Sequence, residues 1–297
     1  GVQCGKSTFL GCHMSKAAEI LDYLAPFVSA AGAYSVAVQN RIDVHQAKSG
    51  PTPFHHALSD ADLSIQSYLE VALLARYPEV GFFSEEHSQS LNLKYFSNNP
   101  QSPVELEVQL DPIDGTRAYI AQRTHYQIIV TIHDSRRIVA AMCYMPRLDR
   151  CYMAVRGEGA FVQTHDQYNR RVAGTRLDVS KSQGPVLLFN RPDLVKKLQT
   201  ELDVKDILEE FNPHGTIATF HSTDLLEHRA AAVIHAPAQA IDGGALAFIA
   251  EEAGAIVSDW SGADLGSFRE TPDRTLPCVI AAANRTIHSA IVKLFNQ

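Results

Sequence analysis

The sequence predicts a mixed α/β fold, an α/β sandwich of two packed halves with a junction near residues 170–185. Three observations point there. Two long stretches carry apolar residues at helical spacing. An alternating strand then opens a series of short apolar strands joined by tight turns. After the polar, glycine-bearing stretch Val172–Ser182, strands and helices alternate instead. The expected division is an N-terminal α+β domain with a largely antiparallel sheet, residues 1–175, and a C-terminal α/β domain, residues 176–297.

From Met14 to about Asn40, Ala17, Ile20, Leu21, Leu24, Phe27 and Val28 recur at helical spacing, with Ser15 as a cap. Gln46–His56 holds Gly50, Pro51 and Pro53 and reads as a loop. A second helix is expected from near Ser59 to Arg76, stopped by Pro78. Val80–Phe83 is a short strand, and Leu91–Pro103 a polar surface excursion. Val104, Leu106, Val108 and Leu110 alternate with Glu105, Glu107 and Gln109, which predicts a strand with one buried and one wet face. Strands follow at Tyr126–His133, Ile138–Tyr144, Cys151–Val155 and Ala160–Val162 as an antiparallel meander. In the second half, strands are expected at Val186–Phe189, Ile217–Phe220, Val233–His235, Ala255–Asp259 and Cys278–Ala282. Helices are expected at Pro192–Glu210, Thr223–Arg229, Ala245–Ala253 and Ile287–Phe295, the third ending at Gly254.

Composition narrows the function. Of 297 residues, 26 are Lys or Arg and 33 are Asp or Glu, a formal charge of −7. Hydrophobic residues make up 45% and charged residues 20%, which is globular rather than disordered. An acidic field argues against a nucleic acid polymer as partner. Cys4, Cys12, Cys143, Cys151 and Cys278 are odd in number and lack C-x-x-C spacing, so no disulfide framework or zinc site is expected and a reducing cytoplasm fits. No uninterrupted apolar run near the ~20 residues of a membrane helix is seen, and no signal segment.

Asp111-Pro-Ile-Asp-Gly-Thr116 ends the alternating strand. Pro112 fixes its own φ, Gly115 permits a tight turn, and Thr116 opens a short helix. Two carboxylates are thereby aimed at one region, and the N–H groups of Gly115 and Thr116 stand at a helix start, where anions bind. Clustered hard oxygens suit Mg²⁺. The competing view is a plain aspartate cap on a strand-to-helix turn. Ser59 with Asp62 equally reads as a capping box, Glu85-Glu86 as a solvated strand end, and Asp242 before Gly243-Gly244 as a helix cap.

These segments together resemble the inositol monophosphatase superfamily of Mg²⁺-dependent, lithium-sensitive phosphatases. Asp111–Thr116 is similar to its D-P-I-D-G-T signature. Glu85-Glu86 resembles its G-E-E, Ser59–Asp62 its T-x-x-D, and Ile241-Asp242-Gly-Gly-Ala with Glu252-Ala-Gly254 its W-D-x-A-A-G … E-A-G-G. The resemblance spans roughly residues 15–295. It implies a layered α/β/α/β/α sandwich of the inositol monophosphatase and fructose-1,6-bisphosphatase type. It implies two or three Mg²⁺ ions on Glu85, Asp111, Asp114, Asp242 and the Ile113 carbonyl. Thr116 and Asp62 would activate water together with the metal ligand Glu85, Gly115 and Thr116 would hold phosphate, and Glu86 would stand behind the ligands. The implied reaction is hydrolysis of a small phosphorylated metabolite, such as an inositol monophosphate, by metal-activated water. A 3′(2′),5′-bisphosphate nucleotide or histidinol phosphate is the alternative substrate, and a non-catalytic phosphate- or metal-binding relative the distant alternative. A homodimer is the implied assembly.

The chain departs from the family pattern at Ser84, where glycine is usual, and at Ile241, where tryptophan is common. Gly243-Gly244 is expected to loosen the following helix. Phe220–Ala236 lacks the family's small-residue helix, and Arg117 follows Thr116. The P-loop-like Gly1–Thr8 is one residue short and carries no weight. His55, His56 and His133 read as surface or strand residues, and Trp260 as packing at a turn.

Overall fold

Helix α1 (Lys16–Gln39) starts at Ser15, whose hydroxyl accepts the Ala18 N–H at 3.2 Å. In this computed structural model the described residues are 15–41, 54–85, 104–170, 172–189, 191–207, 220–271 and 274–297. The expected excursion Leu91–Pro103, all but Phe220 of the strand Ile217–Phe220, the Gly1–Thr8 motif and Glu86 lie outside them. Helix α2 (Phe54–Arg76) begins five residues earlier than expected, so Ser59 and Asp62 lie inside it and open nothing.

A seven-stranded sheet holds β1 (Gly81–Ser84), β2 (Glu107–Asp114), β3 (Gln127–His133), β4 (Ile138–Met145), β5 (Arg150–Val155), β6 (Gly159–Gln163) and β7 (Thr175–Arg176) in sequence order. β1 and β2 are parallel, while β2–β3 and β4–β5 are antiparallel. Two short helices belong to this part, α3 (Thr116–Ile120) and α4 (His165–Asn169).

β2 differs from its expectation in both extent and environment. It starts at Glu107 rather than Val104 and continues past Pro112 to Asp114 through a register shift against β3. Its expected wet face is buried, with Glu107 8% and Gln109 0% exposed. In a layered fold both sheet faces are covered, so alternation here separates apolar from polar and not dry from wet. The polar face pairs internally. Gln109 Nε2 donates to Glu107 Oε1 at 2.7 Å, and Thr131 Oγ1 lies 2.8 Å from His133 Nε2. The apolar face packs Val108, Leu110, Ile128, Val130 and Ile132 with Ile20, Leu21, Leu24, Ile65 and Leu69 of the two long helices.

By length and composition α1 is long and apolar enough to cross a membrane, with mean hydropathy 1.3, although Glu19 and Asp22 interrupt its apolar residues. Its many alanines, with Ile20, Leu21, Leu24, Phe27 and three valines, raise the average. Half of that stretch is buried within the fold, where α1 packs on α2 and β3 as a core helix.

The second sheet has the order β12–β14–β10–β8–β9, from β8 (Val186–Phe189), β9 (Val204–Asp206), β10 (Ala232–His235), β12 (Ile256–Ser258) and β14 (Val279–Ala282). β11 (Ala238–Gln239) and β13 (Thr275–Leu276) form a separate ribbon. Helices α5 (Pro192–Leu198), α6 (Ala245–Glu252) and α7 (Arg285–Phe295) complete this part. α5 ends twelve residues short of the expected Glu210, because parallel pairing of Val204 with Val186 captures the chain as β9. The expected helix Thr223–Arg229 is a single 3-10 turn, Ser222–Leu225. His221 caps it while the Asp224 carboxylate accepts the His221 N–H at 2.9 Å, and His228 at φ 61° ends the segment. Trp260 is 52% exposed and is not the packing residue expected.

Contacts divide the chain into two units, residues 1–134, 139–155 and 161–175, and residues 135–138, 156–160 and 176–297. Each has its own core, the second built on Val186, Leu188, Ile234, Ile280, Leu198 and Ile291. Leu110→Ala removes a core side chain directly beside Asp111, and should lower unfolding stability by about 2–5 kcal/mol in urea titrations.

Candidate active site

In the first unit, the site is built where β1 and β2 end together. Ser84 is registered with Leu110, and one step on, the Glu85 N–H donates to the Leu110 carbonyl at 3.2 Å. Glu85 thus leaves the strand abreast of Asp111, with its side chain exposed. The serine found in place of glycine strengthens this join. Ser84 is fully buried, and its Oγ donates to the same Leu110 carbonyl at 3.1 Å.

Asp111 is 5% exposed, and its Oδ1 accepts the Ile113 N–H at 3.0 Å. This aspartate turn spans Pro112, which has no N–H of its own to satisfy. The register shift between Asp111 and Asp114 absorbs the turn while both stay paired with β3. Asp114 Oδ2 accepts from Gln127 Nε2 at 2.6 Å, across the Asp114–Gln127 register pair. Gly115 then takes φ +84°, a conformation L side chains rarely adopt, and a Cβ there would stand 3.1 Å from the His125 carbonyl. The Tyr119 N–H donates to the Gly115 carbonyl at 3.0 Å, which starts α3. Thr116 is the first residue of α3, while its side chain and that of Arg117 lie outside the described residues.

Asp62 is 3% exposed, on α2, which packs against both α3 and β2. Burial pushes the Tyr119 phenol well above its ordinary pKa, and the charges of Tyr126 and Asp62 add to this. Asp62 is therefore near α3, the helix that Thr116 begins. Among the described residues, no three His, Cys, Asp or Glu side chains are gathered as a group that could hold a metal ion. Glu85, Asp111 and Asp114 share one strand end without forming such a group. Like charges on adjoining carboxylates repel.

Asp242, in the second unit, lies in a tight π-turn (Ala240–Gly244) at the non-helical φ −139° and ψ −109°. It does not cap α6, whose cap position is Gly244, so the helix-cap expectation fails. Its backbone carbonyl accepts the Ala245 N–H. His235 Nδ1 lies 3.8 Å from Asp242 Oδ1. Desolvation pushes the His235 pKa down to about 4, so the ring is neutral at pH 7 and this is a charge–dipole contact, not an ion pair. Ile241 is buried. Gly243 and Gly244 are not merely loose. A Cβ on Gly243 would land on the His235 ring, and one on Gly244 would stand 2.7 Å from Phe268 Cζ and 3.0 Å from the Gln239 carbonyl.

Sequence reasoning missed the residues that hold α3 in place. Gln39 is fully buried, and its Nε2 donates to the Tyr119 carbonyl at 2.9 Å and the Arg123 carbonyl at 3.0 Å. Its Oε1 accepts from Arg147 Nε at 2.6 Å. Tyr119 OH donates to the Ser35 carbonyl at 2.9 Å, and Ser35 Oγ lies 2.9 Å from Tyr126 OH. The available signal was positional, because Ser35 and Gln39 continue the buried stripe of Val28 and Ala31–Gly32.

Two substitutions check this geometry. Gln39→Leu takes a donor from the Tyr119 carbonyl, which keeps the Gln122 N–H, and from the half-buried Arg123 carbonyl, and takes the acceptor from Arg147 Nε, and should cost roughly 1–3 kcal/mol in total in denaturant titrations. Gly243→Ala should cost about 1–3 kcal/mol by overpacking. His235→Ala removes the ring contact but keeps its own Cβ, 2.7 Å from the new one, so it should relieve only part of that second loss, which a double-mutant cycle reads directly.

Residues 25–297 match the model of the Inositol monophosphatase family. An inositol monophosphatase of Dictyostelium discoideum is 26% identical over 105 residues, 35% of this chain and 36% of that protein. A histidinol-phosphatase of Chlorobaculum parvum is 27% identical over 105 residues, 35% of this chain and 37% of that protein. The 3'(2'),5'-bisphosphate nucleotidase CysQ of Haemophilus influenzae is 25% identical over 118 residues, 40% of this chain and 42% of that protein. The matches thus span less than half of these relatives' lengths. Among solved structures, the Thermotoga maritima IMPase has a TM-score of 0.65 at 18% identity, covering 94% of this chain and 97% of its own. An inositol monophosphatase from Zymomonas mobilis also reaches 0.65, at 16% identity, over 96% of this chain and 100% of its own. These likenesses show a shared fold. With a family match from residue 25 to the last residue and the fold of known inositol monophosphatases, the chain belongs to the inositol monophosphatase family.

Proposed function

We propose that this member of a phosphatase family is a Mg²⁺-dependent phosphomonoesterase acting on a small phosphorylated metabolite of the inositol monophosphate type. One observation carries the reading. The bulged end of β2 carries Asp111, Ile113 and Asp114 immediately ahead of the Gly115–Thr116 helix start, and the pairing of β1 with β2 sets Glu85 one step beyond the Ser84–Leu110 pair.

In this reading Glu85, Asp111, Asp114 and the Ile113 carbonyl are the first unit's cation ligands, and Asp242 is the second unit's. The donor set fits the ion, since all are hard oxygens of the kind Mg²⁺ takes, with no thiolate or imidazole among them. Two or three bound Mg²⁺ ions would neutralise these carboxylates, polarise the phosphate and make water a stronger nucleophile. Gly115 and Thr116 offer backbone N–H groups to the phosphate oxygens. Asp62 and Thr116 orient the attacking water and take up its proton, and the buried place of Asp62 on α2 restricts its rotamers. Glu86 backs the ligands. The substrate is a diffusible small molecule rather than a nucleic acid polymer or a membrane. The buried cysteines Cys143, Cys151 and Cys278 suit a reducing cytoplasm. A homodimer is proposed from family membership alone, and light scattering would test it.

The experiment is phosphate release from inositol monophosphate, histidinol phosphate and adenosine 3′,5′-bisphosphate, with and without Mg²⁺. The expected result is turnover that chelation abolishes and that Asp114→Asn lowers beyond the ~10–100-fold cost typical of a residue behind the ligands. Turnover that survives chelation would remove the reading. Highest kcat/KM on the adenosine bisphosphate would keep the chemistry and move the substrate to the nucleotide class. Metal binding without turnover on any phosphate ester would leave a binding protein instead.

A further inference from the structure

His235 is the last residue of β10 and stands opposite Phe189 of β8 in the parallel register. The two rings lie flat on each other, with centroids 4.3 Å apart and planes 6° apart. The strand fixes the Cβ of His235 and the stack fixes its ring plane. His235 is 3% exposed. The Cβ and ring of His235 fill the space that a Cβ on Gly243 would need, so the residue after Asp242 packs directly on this side chain.

The two nitrogens of the ring have different surroundings. Nε2 is buried and makes no hydrogen bond, in a small cavity lined by Ser222, Leu225, Val233, Leu246 and Ala247. Nδ1 faces Asp242 Oδ1 at 3.8 Å. A neutral imidazole carries one proton and places it by what each nitrogen meets. Nε2 is without a partner in either tautomer, so Nδ1 decides: unprotonated it would set a lone pair against the Asp242 oxygen, protonated it sets an N–H dipole beside that charge. The tautomer with Nδ1–H is therefore favoured. At 3.8 Å the contact exceeds a hydrogen bond, so it acts as an oriented dipole beside a charge.

We propose that His235 is a positioning residue for Asp242, its Nδ1–H holding the carboxylate in the orientation in which it takes a divalent cation. This rests on Asp242 being a metal ligand. Residues that hold a ligand from behind commonly cost about 10–100-fold in metal affinity when replaced. The ordinary alternative is that His235 only fills space above Phe189.

The test separates nitrogen from bulk. Mg²⁺ affinity is measured by titration calorimetry, without substrate, on the full chain and on His235→Phe, His235→Asn, His235→Gln and Asp242→Asn. Phe keeps the stacked ring and loses Nδ1. Asn returns a donor near the Nδ1 position, and Gln places its amide nearer the Nε2 position. The expected result is about 10–100-fold weaker Mg²⁺ binding for Phe and Gln, and recovery to within a few-fold for Asn. Adding His235→Phe to Asp242→Asn should cause no further loss, since the effect runs through that carboxylate. Wild-type affinity in His235→Phe, or equal loss in Asn and Gln, overturns the proposal. Should the Phe variant not fold, the Asn–Gln difference decides. Failure of the metal reading looks different, because Asp242→Asn then binds Mg²⁺ as the wild type does, and this inference falls with it.

Discussion

The Leu110 carbonyl is the point at which core and candidate site are joined. It accepts the Ser84 hydroxyl and the Glu85 N–H, so it fixes where β1 ends relative to β2. The Leu110 side chain is locked in the apolar core, and the next residue is Asp111. A shift of one residue in this pairing would exchange the two faces of β2 and move Asp111 into the hydrocarbon side. The position of the carboxylates is therefore set by burial of their neighbours. The cost of desolvating Asp111 and Asp114 is offset by the Ile113 N–H and the Gln127 amide.

The same economy runs through the rest of the first unit. Several of its polar interior residues are attachments. Gln39 satisfies two carbonyls at the end of α3 and is itself held by Arg147. A five-residue helix has little stability of its own, so this clamp and the two buried tyrosines keep Gly115–Thr116 where β2 delivers it. The position of one end of α3 thus depends on packing at the other.

The second unit shows why departures from a family pattern are best weighed in pairs. Gly243 looks like a weakened helix start when read alone. Beside His235 it is the only residue type that leaves room for the ring. The segment 220–236 likewise holds one 3-10 turn where a helix is expected, tied by Asp224 to His221 and Arg229. Changes of this kind alter the surroundings of Asp242 while leaving the aspartate itself in place.

The sequence by itself determined the element order, most strand positions and the acidic residues worth attention. Periodicity, glycine, proline and the Asp111–Thr116 motif are local signals, and local signals survive in a linear string. It misjudged what depended on partners distant in the chain. β9 forms because Val204 finds Val186. Glu107 and Gln109 are dry because both sides of their sheet are covered. Ser35 and Gln39 become anchors because α3 returns to them 80 residues later. Tertiary structure alone decided these, since a side chain's burial and its hydrogen-bond partner belong to the contact, not to the residue.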